Sequence, residues 1–437
     1  MSVLLDFIKF TTLNNWSVSH LLERKFQYNK DYKLEKIGSF LIRNKTKILV
    51  DDSTEYKRVK IKLYNKGVLL RDKEFGKNIG TKKQFIIKKG QFLLSKIDAR
   101  NGAFGIATDE VHGAIITADF FAYDIDITKI EPYFLVLMTT TKKFQQFAQS
   151  ASSGTTGRQR IDEKKFLDVK IPLPSLEIQK KIVKDYLNQI NLYKSQIEEI
   201  KILNKKIRIY LFNKLGINID EKKEQNNILS FIKYSKLIIT WSYNDLFNLN
   251  YINSTYKLKP LNTITKIIMG NSPKSTSLNN LQKGYQFIGG ASDIKNKQII
   301  SNRYIDSTSK LSAKGDILYL IRATIGKPFI LNDSYYLGRG VAVIRTNEKQ
   351  ILRDYLINVL ELFEDRILAS GKGSTFKQIS KPDLENLQIP LPSLEIQNKI
   401  IIHIKKVKEE IKELNEQSLK NKNSAFLQFE REIFNND

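Results

Sequence analysis

Two short stretches hold the residue types best able to meet a polyanion. Gly154, Thr155, Thr156, Arg158, Gln159 and Arg160 lie in "SGTTGRQRI", and Gly373, Ser374, Thr375, Lys377 and Gln378 lie in "GKGSTFKQI". Backbone N–H groups at glycines, small hydroxyls and cations bind phosphate oxygens. Arg and Gln can also grip a base edge with two parallel hydrogen bonds. One such loop reads equally well as a polar turn ahead of a strand. A corresponding loop in the other half of the chain shifts the balance towards nucleic acid. Weaker candidates are the turns "DARNGAFG", with Arg100 and Asn101, and "RATIGK", with Arg322, Thr324 and Lys327. A plain strand-end turn explains each of these at least as well.

Residues for catalysis are not assembled in the sequence. There is no GxGxxG, no GxxxxGK[ST], no GxSxG and no Asn-Pro-Pro-aromatic motif. The three histidines, His20, His112 and His403, stand alone, and no acidic cluster has metal-ligand spacing. "KPDLENLQ" from Lys381 offers the Pro-Asp of a metal-dependent nuclease. Its acidic-x-Lys partner occurs only at Glu410 and Lys412, inside a helical repeat, so that reading is set aside. No catalytic residue and no metal site is expected in this chain.

The loops must be carried by something, and the carrier is written twice. "IPLPSLEIQ" occurs at Ile171–Gln179 and again at Ile389–Gln397, starting 218 residues apart in a chain of 437. "FIKF" precedes Trp16 as "FIKY" precedes Trp241, and "YKLEKIGSF" from Tyr32 is echoed by "YKLKPLNTI" from Tyr256. "KKGQFLLSKIDARNGAFGI" from Lys88 is likewise echoed by "AKGDILYLIRATIGKPFIL" from Ala313. Such a period is too long for a solenoid unit and indicates duplication of a whole domain. Before each nonapeptide, β-rich runs alternate with Gly/Asn/Ser turns, as in mixed α/β or α+β domains. After it the periodicity becomes helical. The prolines hold an extended entry, Ser175 is the expected N-cap, and Glu177 sits where the helix dipole favours negative charge.

A 3-4-3-4 seam follows, with Val183, Ile190, Ile197 and Asn204 in the first copy and Ile400, Val407, Ile411 and Leu414 in the second. Asn204 on that seam is expected to be a buried polar residue that fixes register. Each helix should reach about 40 residues, on the order of 60 Å. Being amphipathic, each needs an apolar partner, and the simplest is the other helix, antiparallel.

Charge separates the parts. The chain carries 72 basic and 46 acidic residues, a net of +26. Ser175–Leu215 contributes +5 and Ser393–Ile433 contributes +1, which leaves +20 for the rest. The helices thus read as scaffold and the globular parts as the faces for a polyanion. The absence of cysteine excludes disulfides and thiolate chemistry and fits a reducing compartment. No stretch approaches a membrane span, and "MSVLLDFIKFTTLNNWS" lacks the pattern of a signal peptide.

The doubled nonapeptide, the "GTT…RQRI" and "GST-KQI" loops, "GDIL…RATIGK" and "GYQFIGGASDI" (Gly284–Ile294) together resemble the DNA-specificity subunit of type I restriction–modification systems. The resemblance covers nearly the whole chain. It departs from the family in lacking adjacent prolines and the Glu-Gln pair of the repeated segment. It implies an α+β protein with pseudo-twofold symmetry. Target recognition domains at 1–170 and 231–388 would alternate with long spacer helices at 171–215 and 389–437, and 216–230 would serve as linker. The helices would pair as an antiparallel coiled coil. The implied role is a non-catalytic, cytoplasmic adaptor that reads a bipartite, asymmetric site in double-stranded DNA. Two methyltransferase subunits and the restriction/translocase subunits would be its partners. S-adenosylmethionine, ATP and Mg²⁺ would belong to those partners, in a restriction endonuclease and adenine-specific DNA methyltransferase complex. The rival readings are a single-chain DNA endonuclease or modification enzyme, and a coiled-coil scaffold without a DNA role.

Overall fold

The computed structural model describes residues 28–63, 66–150, 152–153, 160–217, 253–364, 367–368 and 378–434. The repeated Trp16 and Trp241 segments therefore lie outside the described residues. The chain divides into two compact units, Met1–Gln196 with Gln417–Asp437, and Ile197–Glu416. Each unit takes in about one half of each long helix.

In the first unit the echoed segments meet. Leu34–Lys36, from "YKLEK", pairs antiparallel with Lys170–Pro172, from the start of "IPLPS". In the second unit Leu258–Pro260 pairs with Gln388–Pro390 in the same way. The beginning and end of each domain are thus tied together where the long helix starts. Next comes a four-stranded antiparallel sheet. Its order is Leu41–Arg43, Phe120–Ile125, Phe92–Ser95, Phe104–Ile106 in the first unit, and Thr265–Met269, Val341–Thr346, Ile317–Arg322, Thr324–Ile330 in the second. Gly90 and Gly315, at φ +83° and +91°, turn the chain into the equivalent strands, a conformation a Cβ would disfavour.

The polar residue after each of these glycines is buried and holds its own turn. Gln91 accepts from Lys88 N and donates to Asp124, whereas Asp316 accepts from Ala313 N and binds Arg345 through two bonds of 2.7 and 2.8 Å. A neutral donor facing an acid in one half has become an acid facing a cation in the other, with the frame unchanged. The units diverge in their second sheets. The first unit adds five strands between Lys47 and Ile116. The second adds a small sheet in the order Leu278–Asn279, Tyr304–Ile305, Tyr285–Ile288, Tyr336–Leu337.

The long helices run Leu176–Leu215 and Leu394–Ile433, 40 residues each. Within the first unit Asn421 Nδ2 donates to Gln196 Oε1 at 3.0 Å, and the Lys422 ammonium lies over the Tyr193 ring. Within the second, His403 stacks on Tyr210 with ring centroids 4.0 Å apart. Low numbers on one helix meet high numbers on the other, which is antiparallel pairing. Val183 is buried in the first core, together with Phe429 and Ile433. Ile207, Leu211, Ile400 and Ile404 are buried in the second, with Val407 and Ile411 packed against it. Ile190, Ile197 and Leu414 are half-buried.

Asn204 corrects an expectation. It is exposed, and its amide donates to Ile200 O of its own helix at 2.8 Å. A straight helix of 3.6 residues per turn drifts from a 3.5 repeat, so the buried position has moved to the neighbouring Leu203. Ser418, on the second long helix, is fully buried. Among the described residues no helix is long and apolar enough to cross a membrane.

Candidate nucleic-acid interface

The repeated nonapeptide acts as a joint, and its last residue is the lock. Gln179 is fully buried. Its Oε1 accepts from Glu131 N at 2.8 Å, and its Nε2 donates to Lys129 O at 3.1 Å and Pro174 O at 2.8 Å. Gln397, also fully buried, accepts from Leu352 N at 2.8 Å and donates to Gln350 O and Pro392 O at 3.0 Å each. In both units one amide therefore binds the long helix to the residue that opens a domain helix, Pro132–Thr140 or Arg353–Leu362. Ser175 and Ser393 Oγ accept from Ile178 N and Ile396 N, each at 3.4 Å, as N-caps. The Lys381 segment is structural too. Ser380 and Asp383 form a capping box with Pro382 in the first turn, so the tempting Pro-Asp caps a helix.

On this frame the described ends of the two stretches, Arg160–Ile161 and Gln378–Ile379, take equivalent places. Ser152–Ser153 pairs with Arg160–Ile161, and Ile161 N donates to Lys96 O at 2.9 Å at the end of the Phe92–Ser95 strand. In the second unit Gln378 bridges Arg322, and Ile379 N donates to Ile321 O at 2.9 Å. Ile161 and Ile379 thus bond to the end of the equivalent strand in each unit. Gly154, Thr155, Thr156, Arg158, Gln159, Gly373, Ser374, Thr375 and Lys377 lie outside the described residues. Arg160 is exposed and bonds Asp119 at 3.1 Å. Arg100 and Asn101 occupy a 3-10 turn, Ala99–Asn101, closed by Gly102 at φ +74° and packed beside Arg160–Ile161. The first unit therefore brings Arg100, Asn101 and Arg160 together, and the second brings Arg322, Thr324 and Gln378 together.

Lys327 stands apart from that group. It ion-pairs with Glu364 at 2.8 Å and lines a cavity of about 670 Å³ with Asn204, Arg208, Lys297 and Lys408. Lys408 is held by Asn358 and Glu361, so the lining of this cavity is mixed in charge.

Electrostatics mark the strand end in both units. In the first, the Arg43 guanidinium lies 3.9 Å and the Lys96 ammonium 4.3 Å from the centroid of the Phe121 ring. Burial, then the Arg43 charge, holds Lys96 below the ordinary lysine value. Arg43 reaches Glu163 at 3.8 Å, but its Nη1 makes no hydrogen bond. In the second unit, burial and then the Arg339 charge hold Arg322 below the usual arginine range. Lys96 and Arg339 are not among the sequence candidates, being distant in sequence from Ile161 and Arg322, which they adjoin. Sequence reasoning also gave no role to Gln179 and Gln397, although their recurrence within identical nonapeptides was the available signal.

Comparison with known proteins follows these lines. The family model for the type I restriction modification DNA specificity domain matches residues 29–205 and 253–422. A putative type I restriction enzyme MjaX specificity subunit from Methanocaldococcus jannaschii is 30% identical over 282 residues, 64% of this chain and 62% of that protein. The match thus spans less than two thirds of that relative's length. A chain solved in work on complex assembly and conformational transition of the type I R-M system superposes with a TM-score of 0.60. It shares 18% identity and covers 93% of this chain and 97% of its own, a likeness of fold. The HsdS subunit from Thermoanaerobacter tengcongensis gives a TM-score of 0.46, at 18% identity over 93% of this chain and 98% of its own.

Proposed function

Since the chain belongs to the type I restriction modification DNA specificity family, with the family model matched twice along its length, we propose that it is the subunit that chooses the DNA sequence on which a type I complex acts. Each unit reads one half of a bipartite, asymmetric site. The observation that carries this is a common frame bearing unlike edges. The strand joint, the buried glutamine and the four-stranded sheet recur in both units, whereas the side chains at the strand ends differ. A few base pairs read by each domain, at about 1–3 kcal/mol of discrimination per good contact, add up when both halves are read at once.

The chemistry belongs to partners. Methyltransferase subunits carry S-adenosylmethionine and methylate adenine, and restriction/translocase subunits use ATP and Mg²⁺. This chain supplies binding and position in the cytoplasm and no catalytic group. Comparing the adenine methylome of the host with and without this gene tests the reading. Loss of methylation at one bipartite motif is expected, and an unchanged methylome together with no DNA selection by the assembled complex overturns it.

A further inference from the structure

The equivalent strand ends can be compared residue by residue. In the first unit the strand pair runs from Phe92↔Tyr123 to Ser95↔Phe120 and continues with Lys96 N donating to Asp119 O at 2.9 Å. In the second it runs from Ile317↔Ile344 to Leu320↔Val341 and continues with Ile321 N donating to Gly340 O at 3.0 Å. The next residues outward are Ile97 and Ala118 in the first unit and Arg322 and Arg339 in the second, where the Arg339 charge acts on Arg322. The loop residue at this level is Arg160 in the first and Gln378 in the second. The backbone is the same, and all three side chains are different.

The arginine pair is held in an unfavourable place. Arg339 sits in the turn Gly338–Val341, and its charge acts unfavourably on that of Arg322 at the strand end. Among the described residues neither Arg322 nor Arg339 has a carboxylate partner, unlike Arg160 with Asp119. The backbone beneath Arg339 is fixed nonetheless. Gly338 N donates to Ile288 O and Gly340 N to Gly289 O, at 2.8 and 2.9 Å. A Cβ on Gly338 would strike Phe287, and one on Gly340 would strike Gly289 O. Gly289 comes from "GYQFIGGASDI", so those glycines let two backbones close up and present Arg339. Arg339 is exposed and Arg322 half-buried, so an electronegative group arriving from solvent would meet both.

We propose that Arg322, Arg339 and Gln378 form a DNA-contacting edge of the second domain and together grip one electronegative DNA acceptor, either the O6/N7 edge of guanine or a phosphate oxygen. This rests on the chain being a DNA specificity subunit. The planar guanidinium fork matches both acceptors, and the amide of Gln378 adds a donor and an acceptor at the same level.

The test uses the full chain assembled with the methyltransferase subunits of its own host, selecting from a pool of randomised duplexes at several salt concentrations. Arg322→Ile and Arg339→Ala install the residues of the first domain at these positions. If a base edge is read, each variant loses preference for guanine at one or two positions of one half-site, by about five- to 150-fold, with the other half-site unchanged. If a phosphate is bound, the selected motif stays and the slope of log K against log salt falls by about one per arginine. Arg339→Lys keeps the charge without the fork and covers a folding failure of the alanine variant. It loses the guanine preference in the first case and keeps the slope in the second. Wild-type motif and wild-type slope in folded variants overturn the proposal alone. Failure of the wild-type complex to select any motif overturns the specificity reading as well.

Discussion

Replacing Gln397 with leucine removes the lock of the second joint while keeping side-chain volume close to native. Three hydrogen bonds disappear, one from Leu352 N and two to the carbonyls of Gln350 and Pro392. All three lie at a fully buried side chain. At a net of roughly 0.5–1.5 kcal/mol per bond the loss is about 1.5–4.5 kcal/mol. The upper part of that range is expected, because water cannot reach the orphaned groups. For a unit of about 200 residues, 3 kcal/mol corresponds to a fall of roughly 6–12 °C in melting temperature. Thermal unfolding of the full chain by circular dichroism, with urea titration as a second measure, reads this out. Gln179→Leu should lower the transition of the first unit in the same way, since Gln179 makes the same three contacts. Gln397→Glu is the sharper control. It keeps the acceptor for Leu352 N but sets a carboxylate oxygen against two carbonyls. Its folded pKa then lies above the unfolded value of about 4.3. The damage is therefore least below about pH 4, where the protonated carboxyl still donates to one of the two carbonyls, and grows as pH rises from the unfolded to the folded pKa. A shift under about 2 °C for Gln397→Leu, or no pH dependence for Gln397→Glu, would refute the lock.

Three further outcomes are expected. Burial holds the Glu131 carboxyl above its ordinary value despite its bond to Phe134 N at 2.7 Å. Glu131→Gln should therefore melt higher than wild type at pH 7, with the gap closing as pH falls below about 4. Gly340→Ala should cost about 1–3 kcal/mol, because its Cβ meets Gly289 O where two backbones pass; calorimetry showing no loss in the second unit would contradict the close packing. Arg160→Ala should reduce the salt slope of DNA binding by about one, whereas an unchanged slope would show that its bond to Asp119 is its whole role.

The parts that depend on local pattern are legible in the residues alone. Apolar spacing and a Ser-x-x start were enough for two helices of 40 residues, because such a pattern has one low-energy conformation once a partner covers its stripe. The doubled segments were legible because duplication leaves identity where geometry forbids change, as at Gln179 and Gln397. Asn204 was misread because a heptad count cannot resolve which flank of a wide apolar stripe turns inward. That is set by the drift of the helix and by what packs on Leu203. Tertiary structure alone decided which distant residues share an edge. Arg322 and Arg339 come near each other where the strand pair ends and Ile321 N donates to Gly340 O, and Gln378 joins Arg322 through a single bridge. Contacts of that kind leave no periodic mark in a single sequence, since the intervening chain can be of any length. The two halves keep one frame because a buried joint tolerates little change, and differ at the rim because exposed strand ends are free to vary.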